Sequence, residues 1–382
     1  MPDVEQAMTG ALSPDQTTGG VLLVGPRPPE PLSGGIEIGV VMLLSSSVAQ
    51  KYRMQFFNTA RRRDPSRSIW QRLDYQIRSF TAFAYTVIRQ RPRVVHVKAS
   101  WGAVNYSQSV SYSLIARLLG KRVLLQLHGG AFDTWYNSLS GPWRWAVRTS
   151  LSWASELVVL SQYWHDMVAK LVPNRPIHIV PNGVETKYAQ PPARRGGPPL
   201  KVLTIGTLGR RKGYFDIIEA AAQLHGRALP FHFLFAGPDE DADTGRALRE
   251  QVAALGLTEC ISFLGPVGRE EKWRLLAEAD IFLLPSYGEN LPNAILEAMA
   301  AALPIICTPV GALPEMLDEG DHALFVPLGD IEALVQALMR CDASPELRAA
   351  MGAHNREDVA ARYEFEAIAR RFDDLYAETY KQ

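Results

Sequence analysis

The chain has 382 residues, more than one hydrophobic core usually serves, so two domains of ordinary size are expected. A hydrophobic fraction of 47% and a charged fraction of 21% fit an ordinary soluble globular protein, and a formal net charge of zero argues against a dedicated nucleic-acid binder. Cys260, Cys307 and Cys341 are too few and too scattered for a disulfide framework or a metal cluster, and reduced thiols point to the cytoplasm.

Residues 1–18 are polar and small, the composition of a disordered tail, without the charged start and apolar core of a signal peptide. Gly20 to Gly25 reads as a first strand, and Gly34-Gly35 opens the loop after it. The longest apolar stretch, Ile36 to Ala49, includes Glu37 and three serines and falls short of the ~20 residues a membrane span needs. Helical spacing covers 70–90 and 142–154; Val94–Val97, Val123–Leu127, Leu157–Leu160 and Ile177–Val180 read as further strands.

Residues 1–190 hold 21 Lys+Arg against 11 Asp+Glu, and the remainder holds 19 against 29, so the first half is expected to meet something anionic. Phe56, Phe57, Arg61 to Arg63, Trp70, Arg72 and Arg78 mix rings with cations there, as do Trp135, Tyr136, Trp143, Arg144, Trp145 and Arg148. On an exposed face such clusters suit an anionic membrane surface, which implies peripheral attachment to its inner face.

Gln190 to Pro199 (QPPARRGGPP) holds four prolines and two glycines and cannot continue a strand or helix. It reads as a linker over 189–199 between a domain at 19–188 and one at 200–362. KVLTIG (201–206), FHFLFAG (231–237), CISFLG (260–265), DIFLLPS (280–286) and PIICTP (304–309) then alternate with helical patterns. The fold expected is α/β, two Rossmann-like domains with parallel sheets whose carboxyl strand ends face each other across a cleft. Residues 344–382 are helical, and 363–382 are expected to cross back to the first domain.

Glu289-Asn-Leu-Pro-Asn-Ala-Ile-Leu-Glu297 stands after DIFLLPS, with Pro292 placed to open a helix. A helix start after a strand offers free N–H groups and a positive dipole end, suited to a diphosphate. Glu289 and Glu297 would lie about 12 Å apart if the span were helical, close to the separation of hexose and ribose in a nucleotide sugar. His128 ends the strand VLLQL before Gly129-Gly130, where a side chain faces a ligand more often than the core. Asp241-Ala-Asp243 precedes a helix, where acids favour the N-terminus, so it reads as structural. A full G-x-G-x-x-G with its distant acid is absent, which counts against a dinucleotide-dependent dehydrogenase.

Ser286 to Ala300 followed by Leu303-Pro-Ile-Ile resembles the E-x7-E signature of the family four glycosyltransferases, retaining enzymes of the GT-B fold. Gly34-Gly35, His128-Gly129, Pro181-Asn182-Gly183-Val184, Gly206 with Lys212-Gly213, Ala236-Gly237 and Phe263-Leu264-Gly265 stand in the order of that family. The resemblance implies transfer of a hexose-type sugar from a nucleoside diphosphate sugar to a glycan or lipid-linked acceptor, in cell-envelope polysaccharide or glycolipid synthesis. Glu289 would hold the hexose and Glu297 the ribose. Gly206, Thr207, Gly237, Leu264, Gly265, Asn290, Leu291 and Pro292 would line the donor site. Lys212 would neutralise the leaving diphosphate. Gly34 and Gly35 would receive acceptor or phosphate, and His128 would stand near the transferring sugar. The family usually has Arg after the glycine at 206, where this chain has Thr207; Arg210 or Arg211 would supply that charge. Its usual Cys-Gly before Leu-Pro is here Ala301-Ala302, read as a packing change. No metal and no separate cofactor are expected. A nucleotide-sugar 2-epimerase of the same architecture and a non-catalytic nucleotide-sugar-binding subunit remain alternatives; a glycosidase is disfavoured because one helix start cannot aim both acids at one bond.

Overall fold

The computed structural model describes residues 19–27, 35–60, 68–190 and 197–381. They divide into two units, one taking the described residues up to Pro181 and from Ile368 onward, the other Asn182–Ala367. The tail at 1–18 and Arg61 to Arg63 lie outside the described residues, as does the middle of the proline-rich stretch.

The first unit is built on six strands: β1 (Val21–Gly25), β2 (Gln55–Asn58), β3 (Val94–Ala99), β4 (Arg122–Leu127), β5 (Glu156–Val159) and β6 (Ile177–Ile179). They run parallel in the order β2-β1-β3-β4-β5-β6. Their near-continuous apolar runs reflect burial on both faces, the usual condition of a parallel sheet. Leu22, Val95, Val97, Leu125 and Leu157 share a core with Phe83, Val87 and Tyr112 from the helices Ile69–Gln90 and Ala103–Leu118. Ser68 and Gln71 form a capping box that fixes where the first of these helices begins.

The other face of this sheet is polar along one line. His96 Nδ1 lies 2.6 Å from the Tyr376 hydroxyl of the last helix, Phe365–Lys381, and its Nε2 lies 3.1 Å from Gln126 Oε1. Thr379 donates to Glu156, and the Tyr380 hydroxyl donates to the Gly19 carbonyl. The last helix is thus part of the first unit.

The second unit repeats the plan with β7 (Leu200–Ile205), β8 (Phe231–Ala236), β9 (Ile261–Gly265), β10 (Ile281–Leu284), β11 (Ile305–Cys307) and β12 (Ala323–Phe325). These are parallel in the order β12-β11-β10-β7-β8-β9. Val202, Phe233, Phe235, Ile281 and Leu283 form its core with Tyr214, Leu248 and Leu338. The first unit ends at Pro181, short of the boundary read from the sequence at residue 188. The reason is backbone pairing: the Val184 amide donates to Tyr363, and the Phe365 amide donates to Val184.

In each sheet the chain enters at an inner strand and proceeds first one way, then the other. The order therefore reverses between β1 and β3 in one unit and between β7 and β10 in the other. In open α/β sheets the carboxyl ends of the strands at such a reversal form a ligand crevice, because the connections leave in opposite directions.

Two readings from sequence are corrected here. Phe56 and Phe57 lie on the edge strand β2, where Phe57 meets Phe83 and Tyr112 edge to face. Trp135 and Tyr136 pack on the core beside Phe132. Phe57, Trp135 and Tyr136 therefore do not belong to an exposed face, and Phe56 is partly buried; Trp70, Trp143 and Trp145 are exposed, each by about two-thirds or more.

Candidate functional site

At the reversal in the second unit, Lys212 and Glu289 form a buried pair. Lys212 Nζ lies 2.5 Å from Glu289 Oε1, with side chains 12% and 7% exposed. Lys212 closes a 3-10 turn, Arg210–Lys212, after β7, and Glu289 stands in the loop after the neighbouring strand β10. Gly213, at φ +75°, makes this approach possible, since a Cβ there would sit 2.2 Å from the Pro285 carbonyl oxygen. The same turn separates the two arginines. Arg211 donates to the Gly288 carbonyl at 2.9 Å, while the Arg210 guanidinium rests over the Phe215 ring. Arg211 is the cation directed at the Glu289 loop.

Three neighbouring strands of this sheet end in glycine. Gly206, Gly237 and Gly265 follow or close β7, β8 and β9, at φ of +152°, +148° and +69°. Their amides and carbonyls are stitched together: Gly206 donates to Ala236, and Gly237 donates to Gly265. A Cβ on Gly237 would lie 2.0 Å from the Gly206 carbonyl oxygen, so this rim tolerates no side chain there. Thr207 is half-buried beside it, and Leu264 is partly exposed.

The helix of the E-x7-E stretch runs Asn293–Ala300 with Pro292 as its N-cap, one residue later than the sequence reading placed it. Residues 289–292 therefore form a loop, and the 12 Å helical spacing does not apply. Glu289, Asn290 and Leu291 are all buried. Ser286 Oγ and Asn290 Oδ1 are buried with no hydrogen-bond partner among the described residues. Buried polar atoms of this kind point to a polar ligand or water. Two contacts that sequence reasoning did not assign fix the loop. Asn182 of the Pro-Asn-Gly-Val motif donates to the Leu291 carbonyl at 2.8 Å, and the Ala312 amide donates to the Asn290 carbonyl.

Lys272 was also missed. It lies on the helix Arg269–Glu278 and meets Glu297 at 2.5 Å, the two side chains 15% and 9% exposed. Its only sequence signal was one lysine in a charged helix start. At the other end of the Asn293–Ala300 helix, Ala302 adopts φ +56° and closes a Schellman motif, with Ala302 donating to Met299 and Leu303 to Ala298. This is a position that favours glycine for steric reasons. The change to Ala302 thus bears on backbone strain rather than on packing alone.

Asp241 caps the helix Ala242–Ala254 by accepting from the Thr244 amide, and Asp243 pairs with Arg246. Among the described residues no group of three or more His, Cys, Asp or Glu could hold a metal.

His128 and Gly35 belong to the first unit. Gly34 lies outside the described residues, and Gly35 is the first residue of the helix Gly35–Ser45 rather than part of a loop. His128 stands just past β4, is buried, and its Nε2 has no partner among the described residues. Burial first, then Lys98 and His96 nearby, holds its imidazole well below the ordinary histidine range, so it is neutral. Lys98 of β3, which sequence reasoning passed over, is 5% exposed, and burial pushes its amine down to about 7. That shift has a measurable sign. The unfolded chain holds the proton more tightly, so the penalty is complete below pH 7 and fades as pH rises toward 10.5. Lys98→Met is expected to raise Tm by several degrees at pH 6, with the gain shrinking by about pH 9.5, as read by thermal denaturation of both proteins.

Residues 199–342 match the family model described as glycosyl transferases group 1, and residues 33–188 match that described as glycosyltransferase family 4. The chain is similar to the amylovoran biosynthesis glycosyltransferase AmsK of Erwinia amylovora, 31% identical over 192 residues, 48% of this chain and 46% of that protein. It spans about half the length of the curated relatives it matches. Among solved structures it resembles a sucrose-phosphate synthase from Thermosynechococcus elongatus, with a TM-score of 0.80 at 20% identity over 95% of this chain and 99% of that one. It also resembles Anabaena HepE in complex with UDP-glucose, with a TM-score of 0.73 at 14% identity over 94% and 99%. At these identities the structural likeness speaks for the GT-B fold.

Proposed function

Because the chain belongs to the family 4 glycosyltransferases of group 1, we propose that it transfers a hexose-type sugar, with retention, from a nucleoside diphosphate sugar to a glycan or lipid-linked acceptor of the cell envelope. The observation that carries this reading is the buried Lys212–Glu289 pair at the strand reversal of the second unit. A carboxylate accepts from sugar hydroxyls, and an ammonium beside it meets the charge that develops on a departing diphosphate. Glu289 holds the hexose, Lys212 and Arg211 stabilise the leaving group, and the Asn290 and Leu291 amides face the donor. Glu297, tied to Lys272, takes the ribose. These cations do on the diphosphate what a divalent metal does elsewhere, so the reaction proceeds without one. His128, kept neutral, lies beside the transferring sugar. The acceptor hydroxyl attacks from the face the diphosphate leaves, with a donor phosphate oxygen taking its proton. The AmsK likeness supports an envelope polysaccharide, and the HepE complex supports a UDP-sugar donor.

A thermal-shift screen across UDP-, GDP-, ADP- and TDP-sugars tests the donor: one nucleotide is expected to raise Tm by mass action well above the rest. Equal, negligible shifts for all four would remove the donor assignment.

The same reading puts the first unit on an anionic membrane surface. Ile69, Leu73 and Ile77 recur every four residues on one helix, exposed, with Arg72 and Arg78 between and after them. Trp143 and Trp145 are exposed on the helix Gly141–Leu151 beside Arg144. No described helix is long and apolar enough to cross a membrane. In flotation with phosphatidylglycerol vesicles at low salt the protein is expected to rise, and a variant with Ile69, Trp70, Trp143 and Trp145 all changed to serine to stay at the bottom. Wild type left at the bottom would remove the membrane from the proposal.

A further inference from the structure

The first unit carries a second reversal crevice, between β1 and β3, and its floor is a cation without a counter-ion among the described residues. Lys98 stands at the carboxyl end of β3, one residue beyond the register pair Val24–Val97, and directly opposite Gln126 of β4. Gly25, the last residue of β1, lies over its stem: a Cβ there would be 3.6 Å from the Lys98 Cβ. Gly39, on the helix after β1, covers its tip, since a Cβ there would be 3.3 Å from Lys98 Nζ. Two glycines thus let the backbone pack closely on the amine, which is 5% exposed. No described residue forms a hydrogen bond or ion pair with Nζ. Of the polar side chains on the same face, His96, Gln126 and His128 carry no carboxylate, and the buried Glu156 is already engaged by Thr379 and His178.

A buried amine without a partner gives up its proton or, if it stays charged, costs several kcal/mol unless an anion meets it. His128 Nε2, also buried and unpartnered among the described residues, stands at the end of the adjacent strand. We propose that this crevice binds an anionic oxygen group, a phosphate or a carboxylate, carried by the substrate that the first unit receives, with Lys98 as its counter-charge and His128 as its hydrogen-bond partner. The site thereby selects a charged acceptor over a neutral one. The inference rests on the proposed transfer with the first unit receiving the acceptor, as the resemblance implies for Gly34 and Gly35, and its tests do not depend on which donor the second unit takes.

Two probes separate the sources: inorganic phosphate for a phosphorylated acceptor, and methyl glucuronide against methyl glucoside for a sugar acid. With UDP saturating the second unit, one anionic probe is expected to raise wild-type Tm by about 5 °C at a hundredfold excess over Kd, methyl glucoside giving no shift. Lys98→Met should lose that shift and keep the one produced by UDP alone. Equal shifts in both proteins, or no shift with either anion, would overturn the proposal. A parallel measurement needs no variant. Reductive methylation of the wild type at about pH 7.5, near where half of this amine is unprotonated, and then peptide mass spectrometry should show Lys98 labelling slowed at least fivefold by the effective anion; unchanged labelling also overturns it. Failure of UDP to shift the wild type, with Lys98 still protected, would instead count against the donor assignment and leave this site standing.

Discussion

Lys212→Met is expected to destabilise the second unit by about 3–5 kcal/mol, because it strands the Glu289 carboxylate in a buried place, and to lower kcat for the proposed transfer about a thousandfold. The two losses have different origins and can be separated. The stability loss comes from an unpaired buried charge, so adding Glu289→Gln removes its cause: the double variant Lys212→Met/Glu289→Gln should recover most of the lost stability in urea denaturation. The catalytic loss comes from missing charge on the leaving diphosphate, which glutamine does not supply, so the double variant should remain as slow as the single. Glu289→Gln alone should lower kcat/KM at least a hundredfold, since an amide both donates and accepts and matches sugar hydroxyls less well than a carboxylate. If the double variant recovered turnover together with stability, the pair would be a structural ion pair, and the catalytic role assigned to Lys212 would fall.

The parts of this site that are legible in the sequence are those that one strand end dictates. DIFLLPS announces a buried parallel strand, and the segment leaving such a strand must be a loop carrying free N–H groups, which points to Glu289 through Leu291. Lys212 is marked by the motif it shares with Gly213. Arg210 and Arg211 are not distinguishable by spacing, because adjacent residues of a 3-10 turn point in different directions; only the packing of one on Phe215 and the reach of the other to Gly288 divides them. Lys272 and Asn182 act across long sequence separations, on Glu297 and Leu291 respectively, and no local pattern records such a contact. Lys98 is hidden for a related reason. Inside VVHVKAS it reads as one polar interruption of a strand, and its meaning depends on β1 lying beside β3 with glycine at positions 25 and 39. The short edge strands β2 and β12 escape a reading by pattern because each has only three or four residues, too few for a period to show.

Gly311→Ala is expected to cost about 2–5 kcal/mol of stability and to reduce kcat/KM by two orders of magnitude or more, although residue 311 contacts no proposed substrate. Gly311 sits at φ +58°, where an L side chain is strained, and a Cβ there would lie 1.9 Å from the Glu289 carbonyl oxygen. That distance is far inside van der Waals contact, and the opposing atom is backbone, so the Glu289 peptide has to move. The movement passes directly to the Glu289 carboxylate and its pairing with Lys212, and displacements of about 1 Å in positioning groups cost roughly a hundredfold in rate. Gly320→Ala supplies the control: its φ of +88° imposes comparable backbone strain, but nothing lies within 4 Å of the added Cβ. That variant should lose about 1–2 kcal/mol and keep near-normal kcat/KM. Urea denaturation and steady-state kinetics on both variants decide the matter. Similar kinetic losses in the two would mean that strain alone disables the site, and that the close packing of Gly311 on Glu289 does not set the position of the acid.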